Sequence, residues 1–176
     1  QIGITPAHGA HHRGADDPRT TYGAKLVSSA QDWVVMDAMR ARGKADGPEG
    51  APMPPARVAG RDLTIADGEA LKVGNTTLRF YVTPGHTAGT VSTIFEVTDG
   101  GKRHVAAFFG GFGAPRDPLL RYTHIASMRR FAALAAAAGG DVVLANHPVQ
   151  DGAFEKLEML RYRRTGDVHP FVVGAD

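Results

Sequence analysis

Four of the eight histidines stand where a strand-like segment gives way to a loop that contains Gly or Pro. This arrangement constrains the fold and the function more than any other feature of the sequence. Loops at the ends of strands are where folded proteins commonly place functional side chains. Neutral imidazole is a good ligand for zinc and similar ions. The pattern therefore nominates His8, His11, His86 and His147 as metal ligands.

The first histidine segment covers residues 4–15, where a short strand predicted over residues 1–5 runs into a His- and Gly-rich loop predicted over residues 8–17. It brings His8, His11 and His12 within five residues of one another. Three imidazoles on one Gly-containing loop can converge on a metal. A solvated polar loop, or a remnant of an expression tag, explains the same residues equally well.

The other two segments are more specific. Residues 82–90 end a β-strand at Pro-Gly and present His86 in the turn, which favours a functional site over a turn histidine bonded to its own loop. Residues 142–148 deliver His147 at the end of an apolar strand, where the alternative is a capping or core residue. The remaining histidines lack such a context and are interpreted as ordinary surface or core residues: His104, His124 and His169.

Bulk composition narrows the function classes. A chain of 176 residues suits a single domain spanning 1–176, and a net charge of +2 without a run of basic residues gives no reason to expect nucleic-acid binding. No apolar stretch is long enough to span a bilayer, so no membrane partner is expected. Cysteine is absent, which removes thiolate ligands and leaves the redox compartment open. The chain starts at Gln1 and looks processed or truncated, which leaves a secreted or periplasmic location open.

Periodicity predicts strands first, with helices inserted, and a strand–helix end. The predicted strands cover residues 25–28, 62–65, 70–73, 77–82, 90–97, 103–109 and 141–145. The predicted helices cover residues 30–41, capped by Ser28 or Ser29, 124–138 and 151–164. Residues 43–59 are rich in Gly, Pro and Ala and are predicted to form a loop. The order indicates layers of sheet covered by helices, an α/β fold.

The histidine segments together resemble the metallo-β-lactamase superfamily, in particular its subclass with only His and Asp ligands and the hydrolase-like relatives of that subclass. Residues 83–89, Thr-Pro-Gly-His-Thr-Ala-Gly, match the second His motif of the family almost letter for letter. Asn146-His147-Pro148, followed by Asp151-Gly152, matches the last His motif. The first motif of the family, T-H-x-H-x-D-H-x-G-G, aligns with residues 5–14.

The resemblance implies an αβ/βα sandwich in which two sheets face each other with helices outside. It implies one or two zinc ions, or other divalent metals, at one edge of the sandwich. His8 and His86 would hold one metal, and His11 and His147 the other. The implied activity is hydrolysis of an amide, lactone or ester bond in a small-molecule substrate by metal-bound hydroxide.

Two departures from the family pattern weaken the implied activity. Pro6 stands where the family has its first His, and Ala10 stands where it has Asp, so each metal keeps two protein ligands instead of three. Such sites are expected to bind weakly, unless His12, Asp16 or Asp17 substitutes or one metal is shared by the four histidines. The alternative is a catalytically degenerate binding or assembly protein with the same fold.

The second departure is the position of the first motif, only a few residues into the chain. Family members have a substantial sheet region before it. We therefore expect the C-terminal part of a sandwich that lacks its N-terminal strands and leaves an apolar face and a sheet edge open. A complementing chain or a homo-oligomer would cover such an edge.

Overall fold

A computed structural model describes residues 2–3, 5–12, 14–41 and 60–174. The strands are β1 (Ile2–Gly3), β2 (Leu26–Ser29), β3 (Leu63–Ile65), β4 (Ala70–Val73), β5 (Thr76–Val82), β6 (Val91–Asp99), β7 (Lys102–Phe109) and β8 (Val142–Ala145). The helices are α1 (Gly9–His12), α2 (Asp16–Tyr22), α3 (Ala30–Ala41), α4 (Pro118–Ala137), α5 (Pro148–Asp151) and α6 (Ala153–Leu160).

The strands form two sheets. In the first, β1, β2 and β3 lie side by side and run parallel. In the second, β4 to β8 lie in chain order; the first four strands pair antiparallel, and β8 pairs parallel with β7. The two hairpins predicted in this sheet are confirmed, because Val73 pairs with Thr76 and Asp99 pairs with Lys102.

Packing stacks these elements in four layers. Alternate residues of a strand point to opposite faces, so both sheets can be covered on two sides. A cluster between the sheets contains Val27, Ile65, Phe80 and Val91. Helix α3 covers the other face of the first sheet, where Trp33 and Met36 of the helix pack with Leu26 of β2. Helix α4 covers the second sheet, where Phe131 packs on Ile94, Ala107 and Phe109. This is the expected αβ/βα sandwich.

The three strands of the first sheet leave apolar clefts on the facing side of the second. One cleft, of about 280 Å³, lies over the β6–β8 end and is lined by residues such as Ala106, Val142 and Leu144. Another, of about 240 Å³, lies nearer the first sheet and includes Val27 and Phe80. In the described part of the chain, this side of the second sheet therefore contains apolar clefts.

Three details of the sequence prediction were wrong. Residues 8–17 are not a continuous loop, because helix α1 begins at Gly9 and helix α2 at Asp16. Helix α4 begins six residues before the predicted start, at Pro118, where the Asp117 side chain accepts a hydrogen bond from the backbone N–H of Leu119. The last helix is broken at Gly152, which has a φ of 67°. Residues 43–59, predicted as a loop, lie outside the described residues.

Across the described ranges, no helix has the length and apolar character needed to cross a membrane.

Candidate metal centre

The structure brings the four predicted histidines together in two pairs. The rings of His8 and His86 have centroids 4.6 Å apart and planes inclined by 69°. The rings of His11 and His147 have centroids 5.0 Å apart and planes inclined by 75°. The pairs are neighbours, because His11 interacts electrostatically with all three other members. This cluster of four imidazoles, drawn from three separate segments, is the candidate metal centre.

Helix α1 explains why His8 and His11 emerge together. The backbone N–H of His11 donates to the carbonyl of His8 over 2.9 Å, which closes one helical turn. Residues three apart on such a turn lie on the same side. The segment before them is fixed to the second sheet, where the N–H of Val91 donates to the carbonyl of Thr5 over 2.8 Å.

A tightly bonded loop at the end of β5 presents His86. The N–H of Thr83 donates to the carbonyl of Thr90 over 2.7 Å, and the N–H of Gly85 donates to the carbonyl of Thr87 over 2.9 Å. Gly85 has a φ of 135°, and a Cβ atom there would lie 2.5 Å from Cα of His124 on α4. Glycine at this position therefore allows both the turn and its close contact with the helix.

The glycine-rich segment after β7 orients the ring of His86. The Nδ1 atom of His86 lies 3.0 Å from the carbonyl oxygen of Gly113. A carbonyl only accepts, so this contact places the proton on Nδ1 and the lone pair on Nε2, the atom that can bind a metal. A Cβ atom at Gly113 would lie 3.3 Å from the His86 ring, so glycine lets the backbone approach. The segment thus contributes a carbonyl to the centre.

His147 is held at the junction of β8 and α5. The side-chain amide of Asn146 donates to the carbonyl of Gly110 over 2.9 Å, which ties the end of β8 to the end of β7. The Asp151 carboxylate accepts from the N–H of Ala145 at 2.9 Å and from the N–H of Ala153 at 3.0 Å. These bonds close the chain around His147, and they explain why an Asp follows it by four positions.

Electrostatics keeps His11 neutral. Burial, followed by the effect of His147 and the other nearby histidines, lowers the pKa of His11 to about 4. Burial also lowers the pKa of His124, with a further contribution from His86. A neutral imidazole is the form that binds metal. The centre is therefore in a ligand-ready protonation state at neutral pH as far as His11 is concerned.

Comparison with known proteins places this geometry in a family context. Neither a protein-family model nor a curated protein sequence matches the chain. Among solved structures, BJP-1, a subclass B3 metallo-β-lactamase of Bradyrhizobium japonicum, is similar over 99% of this chain and 65% of its own, with 25% identity and a TM-score of 0.73. A motif mutant of the Cronobacter sakazakii metallo-β-lactamase is similar over 99% of this chain and 67% of its own, with 27% identity and a TM-score of 0.69. The chain has the metallo-β-lactamase fold.

FEZ-1, the metallo-β-lactamase of Legionella gormanii, also matches, over 98% of this chain and 66% of its own, at 22% identity and a TM-score of 0.73. The resemblance noted from the histidine motifs is thus confirmed for the fold. The chain spans about 65% of the length of BJP-1.

The described residues of the first motif differ in burial and in the donor atoms that they could offer a metal. Pro6 is fully buried and supplies no donor atom. His12 is also fully buried and contributes to the electrostatics of His11, whereas Asp17 is exposed. Among the residues that the structure describes, no group of three or more His, Cys, Asp or Glu side chains is arranged to hold a metal. The histidines meet as pairs, and their role as ligands remains a prediction.

Two further residues of the metallo-β-lactamase core adjoin the centre and escaped the sequence analysis. His124 is buried, and its Nδ1 atom has no hydrogen-bond partner among the described residues. Asp32 is fully buried, and its carboxylate is bonded to the His86 loop. An acidic residue inside an otherwise apolar face of a predicted helix was the available signal for Asp32. His124, interpreted from the sequence as an ordinary surface or core residue, is buried, and nothing in its sequence context connects it to His86.

Proposed function

We propose that the protein is a metal-dependent hydrolase that cleaves an amide, lactone or ester bond in a small-molecule substrate. The observation that carries the proposal is the convergence of His8, His11, His86 and His147 at one place. The fold is one that hosts metal-dependent hydrolysis, and the pairing agrees with the motif alignment. The carbonyl-anchored ring of His86 and the low pKa of His11 support the same assignment.

The donor set fits a divalent metal by its chemistry. His8 and His86 would hold one ion, and His11 and His147 a second, or the four would share one. All-imidazole donors suit zinc, and they also accept cobalt, nickel or iron. Two protein ligands per ion is one fewer than catalytic zinc sites usually have, so we expect weak binding.

The groups of this chain have separable roles in such a reaction. A bound divalent metal supplies Lewis-acid polarisation of the scissile carbonyl and lowers the pKa of water. Gly113 orients His86 so that Nε2 faces away from the bonded carbonyl. Burial lowers the pKa of His11 and keeps its ring unprotonated, so the ring does not repel a metal cation. His8 is the exposed member of the cluster and marks the side open to a substrate.

Metal content and hydrolysis measured together test the proposal. The metal-free protein is titrated with Zn²⁺, and the loaded protein is assayed on a β-lactam, a lactone and a thioester. We expect His86→Ala and His147→Ala to lower Zn²⁺ binding and hydrolysis together. His169→Ala is the matched control, because His169 contacts Phe171 outside the cluster. Less than about a tenth of a metal ion per loaded chain, with no chelator-sensitive hydrolysis, contradicts the proposal.

A second candidate is a catalytically degenerate binding or assembly protein with this fold. Pro6 and Ala10 favour it, together with the lack of a three-ligand group among the described side chains. Combining Pro6→His with Ala10→Asp should then create tight Zn²⁺ binding where the unaltered chain has little. Because Pro6 is buried, the thermal unfolding of this variant is compared with that of the parent. Tight binding of two ions by the unaltered chain excludes this candidate.

For the assembly form of this second candidate, the function of the chain would be to associate with another chain. The open apolar face beside β6 to β8 would be covered by a complementing chain or by a second copy. Light scattering during size-exclusion chromatography measures this directly. A monomer across the micromolar range argues against the assembly role.

A further inference from the structure

Asp32 is an acidic side chain that is fully buried in the first turn of α3. A buried carboxylate is costly unless it is bonded, so its partners indicate what it is for. Its Oδ2 atom accepts from the hydroxyl of Thr87 over 2.9 Å, and its Oδ1 atom accepts from the N–H of Gly89 over 2.9 Å. The backbone of Ala7 supplies a third hydrogen bond.

These three bonds reach both members of one histidine pair. Ala7 immediately precedes His8, and Thr87 immediately follows His86. Along the chain, Ala7 lies 25 residues before Asp32, and Thr87 lies 55 residues after it. One carboxylate is therefore bonded to the residue next to each histidine of the His8–His86 pair, whose ring centroids lie 4.6 Å apart.

The helix end shows that this bonding is not ordinary capping. Ser29 caps α3, since its hydroxyl oxygen accepts from the N–H of Asp32 over 3.2 Å. In a capping box, the acidic residue three positions later would bond back to the N–H of the capping residue. Here the Asp32 side chain bonds to the His86 loop instead, and the Ser29 hydroxyl donates to the carbonyl of Gly89 over 2.6 Å. The first turn of α3 still favours a negative charge there.

We propose that Asp32 is a positioning residue that sets the separation and orientation of the His8–His86 pair. The inference deepens the proposed function, because a pair with only two imidazoles depends strongly on how they are held. Outer groups that orient ligands commonly change metal affinity or activity by roughly 10–100-fold when removed. The His147 segment is held separately, by Asn146 and Asp151, so Asp32 acts directly on the His8–His86 side of the cluster.

The first measurement uses the metal-free protein and is independent of activity. Asp32→Asn replaces an acceptor oxygen by an NH₂ group that cannot accept from the bonded N–H groups. Imidazole ¹⁵N and ¹H NMR signals should shift for His8 and His86, while those of His147, which is held by a separate segment, stay in place. Asp62→Asn is the matched control: Asp62 accepts from the N–H of Leu26 and from Arg19 in the same half of the fold, away from the histidine loops.

A second pair of variants keeps the test decisive if Asp32→Asn unfolds. Thr87→Val removes the hydroxyl that bonds Asp32 and also lies 2.7 Å from the Thr90 hydroxyl, and Thr87→Ser restores a hydroxyl at the same position. The Val variant should shift the His8 and His86 signals, and the Ser variant should return them toward the parent. Loss without rescue, or shifts spread equally over all four histidines, overturns the proposal.

Zn²⁺ affinity by calorimetry completes the experiment. Asp32→Asn and Thr87→Val should weaken binding roughly 10–100-fold, with Asp62→Asn and Thr87→Ser near the parent. Unchanged NMR signals in Asp32→Asn overturn the role of Asp32 whatever the metal does. If the signals shift in Asp32→Asn but the parent binds no Zn²⁺, the positioning role of Asp32 stands and the proposed hydrolase function is contradicted.

Discussion

The low pKa of His11 makes the stability of the metal-free protein depend on pH in a predictable direction. A histidine with the ordinary pKa of 6.5 in the unfolded chain, and about 4 in the folded one, binds a proton only when unfolded between those values. Stability is therefore fully present above about pH 6.5 and is lost as the pH falls toward 4. The difference of about 2.5 units corresponds to about 3 kcal/mol in total, at 1.36 kcal/mol per unit. His11 is only half-buried, so this is an upper value.

Urea unfolding in the presence of a chelator measures the effect. Between pH 7 and pH 4.5 we expect the parent to lose about 2 kcal/mol more than His11→Gln, which has no such proton to bind. Comparing the two proteins cancels the carboxylates that titrate in the same range. A difference between parent and variant that stays constant to about 0.5 kcal/mol across this interval refutes the assignment of the low pKa to His11.

Three substitutions test the packing around the centre, each by urea or thermal unfolding. Gly85→Ala should cost more than about 2 kcal/mol, because the residue has a φ of 135° and its Cβ would lie 2.5 Å from His124 of α4. Phe131→Ala should cost about 3–5 kcal/mol by opening a cavity between α4 and the second sheet. Asp117→Ala should cost about 1 kcal/mol by removing the cap bonded to Leu119. A cost below about 0.5 kcal/mol in any of them contradicts the corresponding contact.

The strands of the second sheet were predictable because local signals agree there. Alternating apolar residues and the tight Gly74-Asn75 and Gly100-Gly101 turns define the hairpins without help from the rest of the chain. Helix α3 was predictable for the same reason, since Ser29 caps it and Trp33 and Met36 lie on one side.

The short helix α1 and the start of α4 were not predictable, because tertiary contacts rather than local periodicity determine them. Helix α1 has four residues, far fewer than an isolated helix needs, and its sequence Gly-Ala-His-His carries no apolar periodicity. The start of α4 was missed because Leu119 and Tyr122 in its first turns are exposed, so the buried stripe begins only at His124. The Asp117-Pro118 pair was the overlooked signal, since it combines a cap with Pro at the first helical position.

The four histidines of the candidate centre were predictable from the sequence, but the groups that hold them in place were not. The sequence segments indicated the four histidines, and the family resemblance implied their pairing, whereas the support from Asp32 spans 55 residues to Thr87. The position of Asp32 on an otherwise apolar side of α3 indicates burial, but nothing local connects Asp32 with a loop 55 residues away. The same holds for the carbonyl of Gly113, which any residue would offer but which only glycine brings close to His86.

The junction between α3 and the His86 loop can be perturbed from its other side, at Gly89. A Cβ atom there would overlap the Ser29 hydroxyl and lie 2.5 Å from the backbone N and 2.8 Å from Oδ1 of Asp32. Backbone atoms cannot move aside, so Gly89→Ala should displace the loop, at a cost of about 1–3 kcal/mol.

Displacement of the loop also separates Gly89 from Asp32, which means that Gly89→Ala and Asp32→Asn break the same contact. A double-mutant cycle should therefore show a coupling free energy above about 0.5 kcal/mol, because the second substitution has less left to remove. If the two losses of unfolding free energy are additive, the His86 loop accommodates the new methyl group while it stays bonded to the Asp32 carboxylate. In that case the 2.9 Å bond from the Gly89 N–H would not be what holds the His86 loop on α3.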